Sequence, residues 1–524
     1  MSLKYLTSYI ANSQVSQELI KRLNNKSELN IIGSSRYAKA LVIDALATIE
    51  KKNILLICSN AEVAYKWYGY FQSIENKEVL YYPPNENLPY EARSKSKEVE
   101  FAQLDIINKL INLKIENLNI TITTERSLQP HLLNRKYFKK YSFKLEKGNS
   151  ISLKELTIKL TKIGYKKSEI TTNEGQWSRR GDIVDIFPVN NDLPIRLEFF
   201  DNNIEKIREY HHSTQKTLDT INIINISPAG NHQNINDSLA AFSQKEFFNL
   251  ENNNSNLDRF LGLIEEKPNN ILNFTAKNSI IIFDELEQCK SFTDNWFKDS
   301  EENFLSNKEL INTILSKNNI DKIIEPNLHA NVEEIYNQFK NYKRINLSEF
   351  ESTNNKNNRF LLSDKPIKSP FKDINKISKE LNNFIKDRNR VIILSAQPFR
   401  TNSLLNENEC YSKYIQINTD LKKYHVLNNQ LQPIILKNRN NYEIEGFVLP
   451  IWKFVLITDR ELYAQQNLFN NIFIRKRTKS VTSKININKI NPGDYIVHKN
   501  HGIGRFLKIE KINIIGESRD YLVV

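Results

Sequence analysis

A chain of 524 residues with 40% hydrophobic and 26% charged side chains has an ordinary globular composition. At roughly 100 to 200 residues per domain it is expected to hold roughly three to five domains, more than a single enzyme core. Lys and Arg number 74 against 61 Asp and Glu, and the resulting +13 favours a nucleic-acid or acidic-protein partner. Cys58, Cys289 and Cys410 are far apart and lack a Cys-x-x-Cys spacing, which argues against a disulfide framework and a zinc cluster. With no signal-like N-terminal segment and no apolar run of about 18 residues, the expectation is a cytoplasmic protein.

From Leu29 short apolar runs alternate with amphipathic ones: "LNIIG", Arg36 to Ala47, "NILLIC", Ala61 to Phe71, "EVLYY", Val99 to Leu113 and "LNITITT". Strands alternating with helices predict a parallel α/β sheet over 1–125, resembling half of a nucleotide hydrolase. In "IIGSSRYAKA", Gly33 ends a strand and opens a helix, where a phosphate loop would sit. Such a loop needs a Lys for the phosphates followed by a Ser or Thr hydroxyl for magnesium. Lys39 instead falls inside the helix and is followed by Ala40, which predicts a degenerate site without nucleotide.

After residue 126 the texture changes to a helix at Ser152–Ile163 and closely spaced strands, predicting an inserted α+β domain over 126–203. Ile195, Leu197 and Phe199 alternate with Arg196, Glu198 and Phe200, and Asp201-Asn202-Asn203 makes a turn. Arg179 and Arg180 precede Gly181, and planar guanidinium forks at such a turn suit bidentate recognition of a partner's carboxylates. The alternative is that both pair with Asp182, Asp185 or Glu174. His211 and His212, read as neighbours on a strand, should point to opposite faces and make no metal site.

Residues 204–325 predict the second segment of the first α/β domain. In "IIIFDELE", Asp284 and Glu285 follow an apolar strand where nucleotide hydrolases hold their metal. Without a phosphate cradle they are expected to cap the following helix. "STNNKNN" reads as a loop, and the strands "NRVIILSA" and "KFVLITD" place a further α/β linker domain over 335–463. A basic linker follows at 464–485; between 471 and 511 ten Lys or Arg face only Asp494 and Glu510. From 486 to 524 the Pro492-Gly493-Asp494 turn, "YIVHK", a tight 500–504 connection and a second strand predict a small SH3-like barrel with an exposed edge strand. His498 and His501 read as turn and packing residues.

These segments resemble the N-terminal portion of the transcription-repair coupling factor (Mfd) family. "GQWSRRGDIVDIFPV" with "LPIRLEFFDNNIEKIREYHHSTQKT", and "PGDYIVHKNHGIGRF", carry the resemblance most specifically. "YYPPNENLPYE" and "GFVLPIWKFVLITDRELY" support it. The resemblance implies a degenerate UvrB-like helicase domain with an inserted domain that recruits UvrA, in which Lys166, Arg179 and Arg180 are the matched contacts. It also implies an RNA polymerase module that binds the β subunit through Tyr495, Ile496, Val497, His498 and Lys499. Lys499 stands where the family usually has an apolar residue. The family's barrel continues past Val524 and is followed by its ATP- and magnesium-dependent translocase, which contacts double-stranded DNA, so the barrel is expected to be truncated here and the chain to be a piece of a longer protein with no cofactor of its own. Two other readings are a working UvrB-like ATP-binding repair helicase, which would need the missing Lys-Ser/Thr, and a stand-alone transcription regulator, which leaves the UvrA-like surface without a role.

Overall fold

The computed structural model describes residues 4–74, 77–85, 87–88, 96–113, 118–230, 269–317, 329–350, 358–367, 374–415, 432–438, 444–463, 492–498, 502–514 and 517–524. The chain divides into two compact units. One comprises Met1–Lys368 with Asn440–Val455 and Gln466–Arg475; the other comprises Ser369–Arg439 with Leu456–Gln465 and Lys476–Val524.

The first unit is built on a seven-stranded sheet. In spatial order its strands are Arg359–Leu361, Glu28–Ile32, Lys343–Ser348, Ile280–Asp284, Ile54–Cys58, Asn119–Thr124 and Glu78–Tyr81, and every described pairing is parallel. A parallel sheet is covered on both faces, so its central strands need continuous apolar runs rather than alternation. "ILLIC" and "IIIFD" are accordingly buried at every position. Helix Arg36–Glu50 follows the same logic, being buried without a break from Tyr37 to Ala47. Ser35 starts it by accepting from the Ala38 N–H, and Lys51 ends it in the left-handed conformation. The strands Lys343–Ser348 and Arg359–Leu361, which the sequence reading groups with 335–463, pair into this sheet on either side of Glu28–Ile32.

Within the same unit, a six-stranded sheet runs in the order Thr217–Ile221, Asn203–Tyr210, Ile195–Phe200, Ile183–Phe187, Gln176–Arg180 and Lys166–Lys167. It is antiparallel except for the last pairing. One face buries Val184, Ile186, Ile195, Leu197, Ile204 and Ile207, and helix Leu153–Lys162 contributes buried Leu156 and Leu160. This sheet continues past 203, because the Asp201-Asn202 turn joins two strands that pair directly. His211 and His212 lie beyond the strand end at Tyr210. Their rings stack 4.9 Å apart at 15°, so the expectation of opposite faces is wrong: strand alternation does not extend into the turn. Among the described residues no group of three His, Cys, Asp or Glu is placed to hold a metal ion, and no helix is long and apolar enough to cross a membrane.

In the second unit, Arg390–Ser395 pairs in parallel with Ile434–Lys437, which pairs in parallel with Lys413–Tyr414. Helices Ile374–Lys386 and Pro398–Glu407 accompany them. Near the C-terminus two antiparallel hairpins form, Tyr495–His498 with Gly502–Arg505 and Lys508–Ile514 with Glu517–Val523.

Candidate functional site

In a parallel α/β sheet, chemistry gathers at the carboxyl ends of the strands, where loops and helix N-termini converge. Here that edge brings together Gly33, Lys39, Asp284 and Glu285, the four residues singled out from sequence. Their contacts are made within the protein. Between Gly33 and helix Arg36–Glu50, the backbone N–H groups of Ser34 and Ser35 donate to the Asp364 carboxylate at 2.9 and 2.5 Å, and Ser34 Oγ adds a bond of 2.8 Å. An anion at a helix N-terminus is favoured by the exposed N–H groups and the helix dipole. Gly33 is needed for the approach: a Cβ there would lie 2.6 Å from Asp364 Oδ1 and 2.8 Å from Leu362 Cδ1.

Lys39 is 1% exposed and its Nζ donates to the Ser348 carbonyl at 3.2 Å. Burial lowers its pKa, opposed by Asp284, Glu285 and Asp364. Asp284 Oδ2 accepts from Trp67 Nε1 at 2.8 Å and from Arg36 Nε at 3.2 Å, while Oδ1 is buried without a hydrogen-bond partner. Asp284 therefore does not cap the helix, contrary to expectation. Glu285 adopts φ 57° and receives the Cys289 N–H on its backbone carbonyl, as a helix N-cap does. Its side chain turns away to the Glu349 N–H at 2.7 Å, and burial raises its carboxyl pKa. Asp364 was missed from sequence. It lies 330 residues from Ser34, and only the pairing of Arg359–Leu361 with Asn30–Ile32 brings it there.

A second cluster occupies the inserted sheet. Gly181, at φ +59°, forms the turn between strands Gln176–Arg180 and Ile183–Phe187. Arg179 and Arg180 are exposed beside it, Arg179 donating Nε to the Gly181 carbonyl at 3.0 Å. Neither arginine has an ion pair among the described residues. Asp185, one of the acids considered for them, is held by Arg196 instead, with Nε to Oδ1 at 2.8 Å and a terminal nitrogen to Oδ2 at 2.9 Å. Lys166 is exposed on the neighbouring edge strand in register with Gln176, four residues from Arg180, or about 13 Å along the strand. The three cations thus share one sheet edge without forming a single pocket.

At the C-terminal hairpin, Tyr495 is 80% exposed, and its strand pairs only with Gly502–Arg505 among the described residues. Ile496, Val497 and His498 lie on that strand. Lys499, His501 and the basic linker 464–485 lie outside the described residues.

Three family models match separate stretches. Residues 143–232 match the UvrB interaction domain, 366–464 the Rossmann-like domain of cyanobacterial Mfd, and 490–524 the CarD-like/TRCF RID domain. The transcription-repair-coupling factor of Bacillus subtilis is 27% identical over 555 residues, covering 99% of this chain and 45% of that protein. Those of Staphylococcus haemolyticus and Staphylococcus aureus are 24% identical, covering 99% and 96% of this chain and again 45% of their own length. The chain thus spans about half the length of the curated relatives it matches. Over nearly its whole length the chain is thus similar to transcription-repair-coupling factors, and the matched span includes stretches similar to a UvrB interaction domain and a CarD-like/TRCF RID domain.

Proposed function

We propose that this chain serves as a recruitment platform in transcription-coupled nucleotide excision repair in the cytoplasm, joining UvrA to RNA polymerase. The observation that carries the reading is the coincidence of the UvrB interaction domain with the sheet whose edge exposes Arg179 and Arg180 free of ion pairs. Guanidinium groups held at a rigid turn can grip a partner's carboxylates by paired hydrogen bonds without first breaking an internal pair. At the C-terminal hairpin, strand Tyr495–His498 offers an open edge for a polymerase β-subunit strand, supported by the CarD-like match. We read the two hairpins as part of an SH3-like barrel, and the first α/β unit as a helicase-like domain interrupted by the inserted one. Double-stranded DNA would be engaged mainly by translocase segments of the longer family members.

The residues at the strand ends do not fit a magnesium–nucleotide complex. The N–H groups that would cradle a phosphate are bonded to Asp364, and Lys39 is committed to Ser348. The acid in the metal position, Asp284, is held by Arg36 and Trp67. A second carboxylate beside the bound phosphates would add repulsion rather than binding. This supports a docking role without ATP hydrolysis by this chain. Calorimetric titration with UvrA tests the reading: Arg180→Ala should weaken binding at least tenfold, and wild-type-like binding by that variant would sink it. The same purified chain should show no heat with an ATP analogue and magnesium.

A further inference from the structure

We propose that Arg196 is a positioning residue for the contact assigned to Arg180: by holding Asp185 in a two-pronged ion pair, it keeps Arg180 available to a carboxylate-bearing partner. The inference rests on the reading that Arg180 engages UvrA.

The strand registers put the residues concerned on one face. Arg180 opposes Ile183, Ser178 opposes Asp185, and Asp185 opposes Arg196 on the next strand. Arg180 and Asp185 are therefore diagonal neighbours across one strand pair, about 7–8 Å apart at Cα, which an arginine side chain spans. Left without its partner, Asp185 would be a carboxylate 4% exposed with Arg180 as a diagonal neighbour. Ion pairing would then be strongly favoured, because a buried unpaired charge is costly.

Arg196 prevents that exchange by four contacts. Both Asp185 oxygens are bonded, at 2.8 and 2.9 Å. A terminal nitrogen also donates to Gln215 Oε1 at 2.9 Å, and the guanidinium lies 4.6 Å from the centre of the Tyr210 ring. The next acid on this face, Glu198, is paired with Arg208 at 3.2 Å. The acids in the ladder are thus matched to Arg196 and Arg208, and Arg180 is left over. The Tyr210 phenol confirms the shared neighbourhood: its pKa is raised by burial first and by Asp185, and is pulled back by Arg196 and Arg180.

The test compares UvrA binding and thermal unfolding for the full chain and its R180A, R196Q, D185N and R196Q/D185N variants. Arg196→Gln should weaken binding by about tenfold, as Asp185 captures Arg180, while Asp185→Asn alone should leave binding within about twofold of wild type. The double variant should recover to that level, because the competing carboxylate is gone. Loss in R196Q without recovery in the double variant would show a merely structural role and overturn the proposal. Wild-type binding by R196Q beside weak binding by R180A would overturn it while leaving the functional reading intact; wild-type binding by R180A would remove both. Unfolding reads the partner exchange without UvrA: Arg180→Ala should lower the midpoint in the R196Q background but not in wild type, and equal effects in both would overturn it. If R196Q does not fold, Arg196→Lys, which keeps the charge but not the fork, replaces it with the same D185N rescue.

Discussion

Truncating Asp364 tests how the helix N-terminus at Ser34 and Ser35 is closed. The carboxylate accepts three hydrogen bonds, two of them in exposed positions. Buried hydrogen bonds to charged groups contribute about 1.5–3 kcal/mol each, and exposure reduces this to below about 1 each. An N-cap lost to alanine costs about 0.5–2 kcal/mol, and the dipole interaction is about 0.3–1 kcal/mol. Together these give about 2 kcal/mol for Asp364→Ala, or roughly thirtyfold faster local opening at about 1.4 kcal/mol per tenfold. Global unfolding of a multidomain chain blurs such a change, whereas amide hydrogen exchange of the peptides covering residues 28–40 reads it locally. Asp364→Asn, which keeps the shape without the charge, should fall between. Millimolar pyrophosphate should slow exchange in the alanine variant, since the N–H groups are then free for another anion, and should leave wild type unchanged. Unaltered exchange in D364A, or equal protection of wild type by pyrophosphate, would refute the argument that the carboxylate holds this site.

Other expectations follow from buried charges in the same unit. Lys77 and Asp44 form an ion pair at 3% and 1% side-chain exposure, so Lys77→Met should cost about 3–5 kcal/mol in denaturant unfolding by removing the cation paired with a buried carboxylate; a change below about 1 kcal/mol would contradict this. The Glu125 carboxyl is pushed up to about 8, mainly by burial, and its Oε2 has no partner. Between its ordinary value near 4.5 and about 8, the folded chain holds a proton that the unfolded chain releases. Glu125 should therefore subtract about 1.4 kcal/mol of stability per pH unit as pH rises through that window. Glu125→Gln should flatten the profile, and parallel curves for the two proteins would exclude Glu125 as the cause. Trp67→Phe removes a hydrogen bond to Asp284 Oδ2, leaves Arg36 as its described partner, and should lower stability by about 1–3 kcal/mol in the same assay.

Much of the architecture follows from local patterning. Unbroken apolar runs such as "NILLIC" and "IIIFD" separated by helical stretches specify a parallel sheet, because both faces must be covered. Alternation in "PIRLEFF" specifies the inserted antiparallel sheet with one solvated face. The departure from a phosphate loop is equally local, since Ala40 after Lys39 supplies no hydroxyl. Domain edges were less legible: Lys343–Ser348 and Arg359–Leu361 read as strands, but nothing in their own residues says which sheet they join.

By itself the sequence determined the succession of strands and helices, the glycine turn that presents Arg179 and Arg180, and the absence of a Lys-Ser/Thr pair after Gly33. Only the tertiary structure decided which charges meet. Asp364 reaches Ser34 across 330 residues, Asp284 is claimed by Arg36 and Trp67, and Asp185 chooses Arg196 over Arg180. The reason is one of range: periodicity and turn propensity act over a few residues, whereas the partner of a buried charge is set by strand order and register, which bring distant residues within hydrogen-bond reach.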